Sequence, residues 1–193
     1  MQVLRAQNYR RMPWKNGGGE TTEIAVFPAG AGLDDFDWRV SMARVEASGP
    51  FSLFAGIDRT LAILDGAGII LSVEGRSAFG LTARSEPLTF PADVATSAAL
   101  IAGPITDLNV MTRRGRLAHT VARREIVGSI EMAFDTAETL LLCQHGGIQV
   151  SADGEQASLR QFDTVIFGKV SSTVRIDANG RAVFFVIGID RLS

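Results

Sequence analysis

One segment of this chain occurs twice. Residues Leu61 to Gly75, LAILDGAGIILSVEG, align without a gap on Leu140 to Gly154, LLLCQHGGIQVSADG. Each copy reads as an apolar strand, a glycine-containing turn and a second strand that opens at an isoleucine, Ile69 or Ile148. A serine follows (Ser72, Ser151), then an acid-glycine turn (Glu74-Gly75, Asp153-Gly154). After each copy comes a leucine-led stretch ending in aspartate, LTFPAD at Leu88 to Asp93 and LRQFD at Leu159 to Asp163. A lone hairpin is marginal in water, so a duplicated hairpin points to a duplicated fold.

The rest of the chain agrees with an all-β reading. Alternating or wholly apolar runs recur as TTEIAVF, WRVSMARV, TLAIL, GIILSV, LNVMTRR, TLLLC, TVIF and AVFFVIGI. Turn signals separate them at Pro28 to Gly32, Ser48 to Pro50, Asp65 to Gly68, Gly103-Pro104, His145 to Gly147, Asp153-Gly154 and Ala178 to Gly180. The one helical candidate, Phe90 to Ala99, is alanine-rich and reads equally as strand. Strand, tight turn, strand and return strand is the order of a cupin-type jelly roll. The expected architecture is therefore a tandem bicupin, two RmlC-like barrels with residues 1–114 forming the first and 115–193 the second, degenerate one.

Composition removes several function classes. With 46% hydrophobic and 21% charged residues the chain is an ordinary folding sequence. A net charge of -2 with intermixed signs leaves no footprint for nucleic acid or an anionic membrane. The start MQVLRAQNYRRMPW is charged where a secretory signal is apolar, and no run approaches the ~20 apolar residues of a membrane helix, so a cytoplasmic location is expected. The single cysteine, Cys143, lies in an apolar run and reads as a buried structural thiol.

A metal-dependent cupin places a His-x-His pair, a glutamate and a further histidine on inward strand positions. The only histidines here are His119 and His145, from different segments, so neither a metal nor another cofactor is expected. The first half instead concentrates polar residues on strands. Period-two alternation puts Arg39, Ser41 and Ala43 on one face of WRVSMARV, against Trp38, Val40 and Met42 on the other. In DLNVMTRR, Asp107, Asn109, Met111 and Arg113 share a face. Between these strands, Ser52, Asp58 and Arg59 lie beside the aromatic residues Phe51 and Phe54. The second half has no such set, and divergence between two copies of one fold suits a working barrel and a supporting one. Gly17 to Gly19 serve equally as an anion-binding loop or a flexible turn; no Gly-Lys-Ser/Thr follows, which excludes a Walker-type loop.

At these residues the chain resembles the Ves/HutD family of small bicupins, some of which are encoded with bacterial histidine-utilisation enzymes. The resemblance rests on PWKNGGGETTEI at Pro13 to Ile24, DWRVSMARVEASGPFSLFAGIDRTL at Asp37 to Leu61 and GPITDLNVMTRRG at Gly103 to Gly115. Ala55 and Ala92 depart from the pattern, where proline and glycine are expected. The resemblance implies a bicupin without a cupin metal, involved in the control of histidine breakdown through a pathway intermediate such as N-formylglutamate or urocanate. It implies ligand-binding roles for Trp14, Asn16, Arg39, Ser41, Ser52, Asp58, Arg59, Asp107 and Asn109, and no established catalysis.

Three functions compete. The first is a metabolite-binding regulator that grips a small carboxylate with an arginine fork at Arg39 or Arg59. The second is a metal-free isomerase or lyase with Asp58 or Asp107 as general base. The third is an oligomerising module, a homodimer whose barrel edges pair. Against the first stands the alternative that Arg59 is held by Asp58 or Asp107 as a structural ion pair and Arg39 is solvated.

Overall fold

The computed structural model describes residues 1–169 and 173–192. In chain order the strands are β1 (Gln2–Leu4), β2 (Arg10–Pro13), β3 (Gly19–Phe27), β4 (Trp38–Val45), β5 (Gly49–Pro50), β6 (Ile57–Asp65), β7 (Ile69–Val73), β8 (Phe79–Leu81) and β9 (Leu88–Pro91). They continue with β10 (Thr96–Leu100), β11 (Ile105–Arg113), β12 (Leu117–Met132), β13 (Glu138–His145), β14 (Ile148–Ala152), β15 (Glu155–Leu159), β16 (Thr164–Gly168) and β17 (Val174–Arg191). The only helical element among the described residues is one 3-10 turn, Ala6–Asn8. The fold is all-β, and no helix among these residues is long and apolar enough to cross a membrane.

The chain divides into two compact units, Arg10–Leu117 and Met1–Tyr9 together with Ala118–Ser193. The first nine residues therefore depart from the expected 1–114 barrel. They lie with the C-terminal half because β1 pairs with β16, Gln2 opposite Ile166. The Arg10–Leu117 unit has a six-stranded sheet, β2-β3-β4-β11-β6-β9, and a four-stranded sheet, β5-β10-β7-β8. Ala43, Leu61, Ile63 and Ile105 from the first sheet meet Ile69, Leu71, Val73 and Ala98 from the second in one core. The other unit is a single seven-stranded sheet, β1-β16-β13-β17-β14-β15 with β12 against β17. Leu141 and Phe167 from one end of that sheet share a core with Val150 and Ile176 from the other, so the sheet wraps around it.

The repeated hairpins are β6-β7 and β13-β14, and their pairing matches strand for strand. β6 lies between β11 and β9, and β13 between β17 and β16. β7 lies between β10 and β8, and β14 between β17 and β15. Inward residues alternate alike: Ile69, Leu71 and Val73 are buried in β7, as are Ile148, Val150 and Ala152 in β14. The match stops short of the aspartate-terminated stretches. Leu88 to Pro91 is a strand against β6, whereas Leu159 ends β15 and the strand against β13 is β16.

Two further segments belong to strands. Phe90 to Ala99 contains no helix; Thr96 and Ala98 point inward from β10 as it pairs with β7. Ala178 to Gly180 is no chain reversal, since β17 runs through it, passing from β14 to β13 with Gly180 at φ +98°.

Candidate ligand-binding cavity

Strand pleating puts alternate residues of β4, β11 and β6 on one face, and that face lines a cavity of about 700 Å³ within the Arg10–Leu117 unit. Register sets the order of the polar groups. Met111 lies between Arg39 and Arg59, Asn109 between Ser41 and Leu61, and Asp107 between Ala43 and Ile63. The sheet thus presents a cationic row, an amide and hydroxyl row, and an acidic row. The opposite face, with Val40, Met42, Leu108 and Val110, is buried too, so neither side of these strands is left to solvent.

Arg39 and Arg59 are both buried, and they are held differently. The Arg39 Nε donates to Glu23 Oε2 at 2.8 Å. Arg59 is only 2% exposed and has no direct ion pair among the described residues. Its guanidinium lies 5.2 Å from the ring centre of Phe51, 5.3 Å from Phe54 and 6.0 Å from Phe90. The hydrogen bonds it donates are a long one to the Ser52 carbonyl, 3.4 Å, and a weak contact with the Met111 sulfur, 3.9 Å. Nε has no partner. Burial lowers its pKa to about 10; the field of Asp107 opposes that shift and the like charge of Arg39 adds to it.

Asp107, 1% exposed, accepts from the Asn109 amide at 2.7 Å and from the Ala43 backbone N–H. Burial pushes its carboxyl up to about 7, although Arg59, Asn109 and the Ala43 N–H all favour the charged form.

The mouth is built by the β2-β3 hairpin. Trp14 donates its indole N–H to Thr21 Oγ1 at 2.8 Å. Gly19 sits so close to β4 that a Cβ there would lie 2.2 Å from the Arg44 carbonyl and 3.1 Å from the Trp14 ring. The glycine run is a turn: Gly17 N–H donates to the Trp14 carbonyl and Gly18 N–H to Asn16 Oδ1, so neither amide is left for an anion.

Of the nine residues singled out from sequence, Trp14, Asn16, Arg39, Ser41, Ser52, Arg59, Asp107 and Asn109 line this one cavity. Asp58 does not. Its neighbour Arg59 points inward, so pleating turns Asp58 outward, where it accepts from Arg114 Nε at 2.8 Å beside Asp93. The structural pair Arg59–Asp58 is therefore absent. Sequence reasoning missed Glu23, the partner of Arg39, and Phe90, the third ring around Arg59. Alternation in TTEIAVF pairs Glu23 with Thr21, a signal that was available. Arg113 leaves the row and donates to the Phe36 carbonyl.

In the other unit the matching interior is the apolar core with Leu141, Val150 and Phe184. Cys143 is buried there, its thiol pushed up to about 11 by burial, and His145 is exposed at the end of β13, opposite Val183, rather than in the turn that follows. No group of three or more histidine, cysteine or acidic side chains comes together among the described residues.

The family model named HutD matches residues 6–184. An uncharacterized 21.2 kDa protein from the hutC 3' region of Pseudomonas putida is 38% identical over 157 residues, covering 81% of this chain and 80% of that protein. The crystal structure of a conserved protein of unknown function from Pseudomonas aeruginosa PAO1 is 33% identical, with a TM-score of 0.91 over 98% of each chain. HutD from Pseudomonas fluorescens SBW25 is also 33% identical, with a TM-score of 0.81 over 100% of this chain and 99% of its own. A cupin barrel protein from Leptotrichia buccalis, 8% identical with a TM-score of 0.57 over 88% of each chain, shares the fold alone. The family is linked to the histidine-utilisation locus, and this chain belongs to the HutD family.

Proposed function

We propose that the chain is a tandem bicupin whose Arg10–Leu117 barrel binds a small carboxylate, without a metal, as part of the regulation of histidine utilisation. N-formylglutamate and urocanate are the candidate ligands. The carrying observation is Arg59, a cavity-lining residue whose guanidinium is buried with no carboxylate partner among the described residues and whose Nε has no hydrogen-bond partner. An unpaired buried charge costs several kcal/mol, and an incoming carboxylate offsets that cost while accepting a charge-assisted hydrogen bond. The matching strand pairing of β6-β7 and β13-β14 supports the bicupin reading, and the relative from the hutC region supports the pathway.

Calorimetric titration tests it. Arg59→Lys replaces the fork by a point charge and should weaken binding by about 1–3 kcal/mol. Asp58→Asn, which alters only the outward pair with Arg114, should leave affinity unchanged. Unchanged affinity in both Arg59→Lys and Arg39→Lys refutes the carboxylate site. A metal-free isomerase or lyase is the second reading, favoured by Asp107, whose pKa of about 7 suits a general base. Consumption of the ligand by the wild type, lost in Asp107→Asn, would select it.

A further inference from the structure

The carboxylate reading leaves the acidic end of the cavity without a function. Along β11 the face inside the cavity runs from Met111, flanked by both arginines, through Asn109 to Asp107. Four strand steps separate the two ends, about 13 Å of backbone, which the long arginine side chains shorten. Arg59 and Asp107 feel each other's charge without forming an ion pair among the described residues. The site is therefore polarised rather than neutralised.

An ionised carboxylate offers about four acceptor positions. Asp107 fills only two of these, with the Asn109 amide and the Ala43 N–H, and Asn109, having turned its NH₂ toward Asp107, keeps its own carbonyl oxygen as an acceptor. Among the described residues this end is rich in acceptors and holds no buried cation, Lys15 lining the cavity only from the exposed hairpin, so a buried second carboxylate meets repulsion there while an N–H group is attracted. The side walls are Trp14, Phe51, Phe54, Leu33 and Ile105, a setting for a flat, weakly polar body.

Resting on the carboxylate reading, we infer that the cavity selects a dipolar ligand, a carboxylate for Arg59 joined through a flat body to an N–H donor for Asp107. Asp107 is the specificity-determining residue. It rejects isosteres that lack the donor, because a ligand acceptor placed there leaves two acceptors facing each other.

A matched pair of probes reads this directly. 3-(Pyrrol-2-yl)propionate and 3-(furan-2-yl)propionate share shape and charge and differ in N–H donor against ring oxygen; the corresponding butyrates extend the reach. Calorimetry at pH 8, where the Asp107 carboxyl is mostly ionised, should find the pyrrole acid bound at least about tenfold tighter than the furan acid in the better-fitting length. In Asp107→Asn, whose amide presents either a donor or an acceptor, the preference should collapse without loss of furan-acid affinity. A wild-type comparison needs no variant to fold: adipate should bind more weakly than the pyrrole acid. Equal binding of pyrrole and furan acids, or adipate binding as tightly as the pyrrole acid, overturns the inference. If Arg59→Lys still weakens the acids in that case, the carboxylate reading survives. Should no probe bind, or should Arg59→Lys weaken none, both fall together.

Discussion

Asp107 is acted on by Arg59 on β6, by the Ala43 N–H of β4 and by Asn109 on its own strand. The balance between burial and these neighbours gives a stability that depends on pH in an unusual direction. The carboxyl rises from 3.8 to about 7 on folding, chiefly by burial. Between those values the folded protein holds a proton that the unfolded chain has released, so stability falls as pH rises through the window and levels off above about 7. Asp107→Asn cannot ionise and should melt at a higher temperature than the wild type at pH 8, with the gap narrowing toward pH 4. Melting curves across that range check it, and parallel pH profiles for the two proteins would refute it. The stabilising variant is also the one expected to lose ligand discrimination, which ties the cost of the buried acid to its use.

At the scale of elements, the β2-β3 hairpin couples the glycine run to the cavity mouth. Gly19 opposes Val45 in the β3-β4 ladder, and its contact with the Arg44 carbonyl leaves no space for a methyl group. Because that carbonyl belongs to β4 and cannot swing aside, Gly19→Ala should displace the hairpin and Trp14 with it. The expected loss is roughly 1–3 kcal/mol of stability, together with weaker carboxylate binding. Gly18→Ala is the matched control. A Cβ there meets the exposed Asn16 side chain at 3.4 Å, ordinary contact, and should change little. Urea unfolding of the two variants separates a steric requirement from general flexibility of the glycine run; equal destabilisation would argue against the contact.

Taking the whole molecule, the N-terminus is a structural part of the unit that contains residues 118–193. β1 covers the edge of β16, and Tyr9 places its hydroxyl 2.9 Å from both the Phe162 carbonyl and the Thr164 hydroxyl. Asp163 accepts from Arg5 at 2.7 Å and from the Ala6 N–H at 2.9 Å. Deleting residues 1–9 removes all of these and leaves β16 as an exposed edge. Hydrogen exchange should accelerate strongly at the β16 amides that face β1, so at one of the adjacent residues Val165 and Ile166, while exchange in β4 and β11 stays slow; unchanged protection throughout β16 would refute the assignment.

How much of this was legible depended on the range of the interaction. The faces of β4 and β11 followed from alternation alone, because the pleat is a local property and needs no partner to define it. The repeated hairpin was equally visible, its turn chemistry and apolar runs lying within fifteen consecutive residues. Strand β12 was missed because Arg123, Arg124 and Glu125 at its middle interrupt any apolar alternation. Alternation also could not say which face is enclosed, and a charged face such as that of Arg39 and Asp107 reads as solvent-facing until both sides of the sheet are seen to be buried. The pairing of Glu23 with Arg39, the third ring on Arg59 and the place of residues 1–9 are contacts between distant segments. Local pattern was enough to specify an all-β chain with one duplicated hairpin and a polar first half. Which of the polar residues meet follows from the folded chain alone, since strand register and sheet closure are set by long-range packing rather than by neighbours along the chain.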